Sequence, residues 1–173
     1  ERGLTPENGF EDQADVLIGA RRAGDILGAT SMDRTEDVEP NPYTNMVYVN
    51  CTKNPRRGQN GKPAVNPANP TANNQGGHII EIVPPAGDHA AEKMTWSVLL
   101  IAGDDHFSDY GAAARFNARF ACPDNACIDP SGRLWVSTDG AEETIGVPDG
   151  LYGIETTGRH RGEARRLFSA PPG

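Results

Sequence analysis

The sequence has no apolar run near the roughly 20 residues a bilayer-spanning helix needs, and no basic start with an apolar h-region at its amino end. A transmembrane segment is therefore not expected. Lys and Arg never gather into a run able to neutralise a line of phosphates, and 24 acidic against 16 basic residues leave a net charge of -8. Nucleic acid is not expected as a partner. The three cysteines show neither zinc-finger spacing nor a second pair. Cys122 and Cys127 are close enough to bridge in an oxidising compartment, although Pro123 lies between them; the alternative is that Cys51 and Cys127 are small buried strand residues. An initiating methionine is also lacking, since the chain begins with Glu1. It reads as a piece of something longer, so the missing signal peptide says nothing about export.

What is present points to short elements joined by turns. In 173 residues, enough for one sizeable core, apolar content is only 36%, with 20 glycines and 14 prolines. An all-β class follows. Residues 11–27 place Ala14, Leu17, Ile18 and Ala20 or Arg21 at helical spacing, which predicts a short helix weakened by Gly19 and Gly24, ended by Gly28 and packed outside the sheet. From Asp37 onward, β-branched and aromatic runs bounded by Asn, Pro and Gly predict strands at Val38, Met46 to Cys51, His78 to Val83 and Met94 to Ala102.

The same order then returns. Asn125 to Ile128, Arg133 to Thr138, Gly150 to Ile154 and Ala164 to Phe168 form a second set of four, and EDVEPNPYTNMVYV aligns over DNACIDPSGRLWV with Glu36 opposite Asp124. Four strands per repeat is the signature of a β-propeller blade. The expected organisation is a connector with a short helix over 1–30, a blade over 31–103 with a long surface loop at 55–77, a partly helical linker over 104–122 and a second blade over 123–173. Two blades cannot close a ring, and propeller sites are assembled on the central channel from the inner strands of many blades. Here the inner strands, the first of each set, are preceded by Arg34-Thr35-Glu36 and Pro123-Asp124-Asn125.

The densest charge is the stretch MDRTEDVEPNP, where Asp33, Arg34, Glu36, Asp37 and Glu39 crowd before a strand. A sheet edge offers no packing use for all five, so either water solvates them or ligands bind there. Clustered carboxylates suit calcium better than zinc, and a guanidinium can grip two oxygens of a phosphate. If the segment is extended, Arg34 and Glu36 face one side together.

The tracts MDRTEDVEPNPYTNMVYV, NPTANNQGGHIIEI, MTWSVLLIAGD, CPDNACIDPSGRLWVSTDG and LFSAPPG, in this order, resemble the PhoX family of secreted bacterial alkaline phosphatases. The resemblance runs from about Phe10 to the end of the chain. It implies a monomeric propeller phosphatase exported folded through the twin-arginine route, with calcium (Ca2+) and iron (Fe3+) in its site and many phosphomonoesters as substrates. Carried over by position, Glu36 is implied as a metal ligand and Arg34 as the phosphate holder, with Thr35 where the family usually has proline. Asp124 is implied as a further metal ligand, with Asn125 near the same channel mouth. The family's Cys-Glu-Glu iron-binding segment is absent, Cys51 does not match it, and Lys53 stands where an asparagine is usual.

Plainer roles are expected elsewhere. Asp139 shapes a hairpin, His78 hydrogen-bonds at a strand end, Trp96 and Trp135 pack between blades, and Asp104 and Asp105 are loop acids with weak calcium potential. Two other functions remain open: a calcium-dependent lactonase-like propeller, which shares PDN and DPSGRLWV, and a noncatalytic propeller that binds a partner.

Overall fold

A computed structural model describes residues 3–103 and 119–171. The expected helical linker, with Asp104 and Asp105, falls mostly outside the described residues.

Residues Glu1–Ser31 form a unit of their own. Helix α1 (Gln13–Ile18) starts at Asp12, whose carboxylate accepts from the amides of Ala14 and Asp15 at 2.8 and 3.2 Å. Gly19 interrupts the predicted single helix, and α2 (Ala20–Leu27) ends at Gly28 in the left-handed conformation. Leu17 and Ile18, assigned by helical spacing to a packed face, are 70% and 87% exposed. Ala14, on the same face of α1, is exposed as well, and the partly covered side of this six-residue helix carries Asp15 and Val16 instead.

Met32–Gly173 form the second unit. Two four-stranded antiparallel sheets run in sequence order: β1 (Thr35–Pro40), β2 (Val47–Cys51), β3 (His78–Val83) and β4 (Thr95–Ile101), then β5 (Pro123–Ile128), β6 (Leu134–Thr138), β7 (Gly150–Ile154) and β8 (Ala164–Ser169). They are two blades of a propeller-type fold. A short helix α3 (Ala141–Ile145) sits in the β6–β7 connection. The inner strand β5 lies against β1 and β2 of the preceding blade.

The core is the seam between the sheets: Tyr48, Ile79 and Leu100 meet Leu134, Val136, Tyr152 and Ile154. Phe120 meets Tyr152 edge to face, ring centres 4.9 Å apart. Both first turns are built alike. Asn41 accepts from the amides of Tyr43 and Thr44, and Asp129 accepts from those of Ser131 and Arg133. The Asp129 carboxyl is held down to about 2 by the Ser131 hydroxyl and the Trp135 indole. Asn41 also crosses the seam, donating to the Gly132 carbonyl at 2.9 Å, and Arg161 crosses it to the buried Glu81.

The Gly76-Gly77 pair has a steric reason. A Cβ on Gly77, at φ +82°, would stand 2.2 Å from the Thr52 carbonyl oxygen, and one on Gly76 would stand 2.4 Å from that of Ala102. β3 therefore starts where two backbones already touch.

All three cysteines are free, which answers the open question of a Cys122–Cys127 bridge. Two expectations need correction. Cys51 is buried, and burial pushes its thiol up to about 12, but Cys127 is exposed on β5. Trp96 lies on the outer strand β4 and is 45% exposed, so it does not pack between these blades. Trp135 is partly buried, with the Arg133 guanidinium over its ring and its indole N–H donating to Asp129 at 2.8 Å.

Candidate functional site

The charged stretch before β2 divides into structural carboxylates and a smaller remainder. Asp33 is wholly buried, and its Oδ1 meets Nε and Nη2 of buried Arg57 at 2.7 and 2.6 Å. Its Oδ2 accepts from Asn74 at 3.0 Å, and its amide donates to Asn69 at 2.9 Å. These bonds fasten the 55–77 segment, which is not simply a surface loop: Arg57, Ala68, Asn69 and Asn74 are all buried. His78 completes the network as expected of a strand-end hydrogen-bonder. Its Nε2–H donates to the Ala68 carbonyl at 2.9 Å and its Nδ1 accepts from Asn74 at 3.2 Å. Burial lowers its pKa and keeps the ring neutral.

Asp37 and Glu39 point across the seam. Asp37 accepts from the Ala126 amide at 2.7 Å and Glu39 from the Ile128 amide at 3.2 Å. These alternate amides lie on the free inner edge of β5, which would otherwise bury unpaired donors. The expectation that a sheet edge has no use for so many acids is overturned here: three of the four carboxylates satisfy backbone or a buried arginine.

Arg34 and Glu36 remain. Arg34 Nε lies 2.6 Å from Glu36 Oε1, and their side chains are 58% and 30% exposed. They meet, but not because the segment is extended. Arg34 has φ +47°, and the pairing of β1 with β2 slips between Thr35 and Asp37, so Glu36 is the extra residue of a β-bulge. A bulge re-aims the side chain it carries. β5 has its counterpart, with the slip between Pro123 and Ala126 placing Asp124 and Asn125 in a second bulge. The repeat alignment that set Glu36 opposite Asp124 thus also superposes the two bulges.

Asp124 faces the same place. Its pKa is raised, first by burial, then by the charges of Glu36 and Asp139, with Arg34 opposing. Asp139 leads not into a tight hairpin but toward α3, and its amide donates to the Cys122 carbonyl at 3.0 Å. Asp149, not anticipated from sequence, fixes this turn by accepting from the Thr138 hydroxyl at 2.7 Å and from the amides of Gly140 and Ala141. Burial opposes its charge, but these bonds outweigh it and lower its pKa. Lys53 lies beside Gly140, with Nζ 2.9 Å from where a Cβ would stand.

Arg34, Glu36, Asp124 and Asp139 therefore converge at the bulged ends of the two inner strands. Among the described residues, no three His, Cys, Asp or Glu side chains are grouped so that they could hold a metal ion by themselves. No described helix is long and apolar enough to cross a membrane.

The family model of alkaline phosphatase PhoX matches residues 2–172. The chain belongs to the PhoX family. A solved structure similar to it, Pseudomonas fluorescens PhoX in complex with vanadate, a transition state analogue, is 32% identical with a TM-score of 0.81. That likeness covers 100% of this chain and 31% of the Pseudomonas chain. No curated protein matches the sequence. PhoX membership does not favour the lactonase-like or noncatalytic readings.

Proposed function

We propose that this chain supplies part of a phosphomonoesterase site, completed in the full-length protein by other blades. In it, Arg34 holds the phosphoryl group, while Glu36 and Asp124 bind metal. The observation that carries this reading is the pair of matching bulges, which turn Glu36 and Asp124 toward one another beside a half-exposed guanidinium. The vanadate complex of the Pseudomonas relative supports phosphoryl transfer as the chemistry.

The donor set fits a hard cation as a partial cage. Glu36 and Asp139 both oppose ionisation of the Asp124 carboxyl, a repulsion that a cation would relieve. Bound metal would neutralise a phosphate dianion and stabilise its charge as the ester bond breaks. Calcium with iron is the proposed set. For iron, Cys51 is a poor candidate: although it pairs with Thr35 at the edge of the first bulge, its thiol is buried in the cluster with Ala68 and Ile80 and held protonated. Arg34 pairs with Glu36, and with substrate bound its fork would turn to two phosphate oxygens. Location outside the cytoplasm and a monomeric state are part of the same proposal.

The test is the full-length protein with Glu36→Gln and Arg34→Ala, assayed for bound metal and p-nitrophenyl phosphate turnover. Glu36→Gln is expected to lose metal and activity together. Arg34→Ala is expected to keep metal and lose roughly 10²–10³-fold in kcat/KM. Normal metal content and normal turnover in Glu36→Gln would overturn the reading.

A further inference from the structure

We infer that Asn50 is the positioning residue for Asp124. Asn50 lies on β2, fully buried, paired with Asp37 beside the bulge that displays Glu36. Its Nδ2 crosses the seam and donates to the main-chain carbonyl of Asp124 at 2.7 Å. Two residues on, the Thr52 hydroxyl donates to the carbonyl of the neighbouring Pro123, also at 2.7 Å. The register slip in β5 takes the Asp124 carbonyl out of the regular ladder with β6, so the grip from the preceding blade sets its peptide plane. That plane in turn sets the direction of the Asp124 side chain.

The other end of the amide strengthens the assignment. Asn50 Oδ1 is buried and has no hydrogen-bond partner among the described residues. The amide cannot be turned round to relieve it, because only the NH₂ end can face a carbonyl. A leucine of similar size would remove this unpaired acceptor, so the asparagine is a net burden unless its donor end has a use. Among the described residues, its side chain bonds Asp124, at the second bulge.

This inference rests on Asp124 being a metal ligand. It is tested in the full-length protein by calcium titration calorimetry, with thermal unfolding of the metal-free protein run in parallel. Asn41→Leu is the matched control, since it breaks a buried asparagine-to-carbonyl bond across the same seam at the far end of β5. Asn41→Leu and Asn50→Leu are both expected to lower the unfolding midpoint. Only Asn50→Leu should weaken calcium binding, by about 10–100-fold. Asn50→Ser, which cannot reach Asp124, should weaken it likewise and serves if the leucine variant does not fold. Calcium affinity equal to that of Asn41→Leu in either Asn50 variant overturns the inference. Asp124→Asn separates the two layers: if it binds calcium normally, the ligand reading and the inference fall together. If it is impaired while the Asn50 variants are not, only the positioning role falls.

Discussion

Asp33 and Arg57 show how much of a charged motif can be architecture. Both are wholly buried, and the arginine reaches Asp33 from within a segment rich in Asn, Pro and Gly. Removing one member of such a pair strands the other charge, which typically costs about 3–5 kcal/mol, whereas replacing both with apolar groups costs much less. Arg57→Leu should therefore lose roughly that much stability in denaturant unfolding, and Asp33→Leu with Arg57→Leu should lose less than the single variant. His78, in the same network, makes a separate prediction about pH. Its folded pKa lies below the ordinary 6.5, so the unfolded chain takes up the proton first as pH falls. The stability tied to neutral His78 is complete above 6.5 and drains away from there down to its lowered folded value. His78→Gln should flatten that part of the stability profile, measured as unfolding midpoints between pH 7.5 and pH 5. Equal slopes in variant and parent would contradict the assignment.

The strands were legible because their signals are local. Val, Ile and aromatic runs between Gly, Pro and Asn mark β2, β3, β4, β6 and β7 to within a residue or two, and the repeat of four supplied their order. β1 was visible only at Val38, because its other residues are acids whose partners lie on β5. No local pattern reports that Asp37 bonds the Ala126 amide, 89 residues away. The same limit explains Trp96 and Cys127: alternation places a residue on a face, but not whether that face is covered. Since Asp37 and Glu39 seal the inner edge of β5, Asp37→Ala should destabilise by about 1.5–3 kcal/mol, the range for a hydrogen bond to a charged group. Glu39→Ala should cost less, its bond being longer at 3.2 Å. Unfolding midpoints of the two variants check both the size and the order.

At the scale of the molecule, the core sits between the two sheets, and the candidate site sits at one end of the seam that this core holds shut. Arg34, Glu36 and Asp124 could be nominated from motif and repeat, but the bulges that aim Glu36 and Asp124 have no sequence signature here. If metal binds only the folded state, chelation should lower the unfolding midpoint of the full-length protein, and a cation at 100 times its Kd contributes about 2.7 kcal/mol. Glu36→Gln should shrink that chelation shift; an undiminished shift would place the stabilising metal elsewhere. The carboxylates that cap β5 also carry a consequence for the order of events in synthesis. Asp37 leaves the ribosome 89 residues before Ala126, which at about 5–20 residues per second is a lead of several seconds. The acceptors are therefore synthesised before the donors exist, and the inner edge of the second sheet emerges after the residues that cap it.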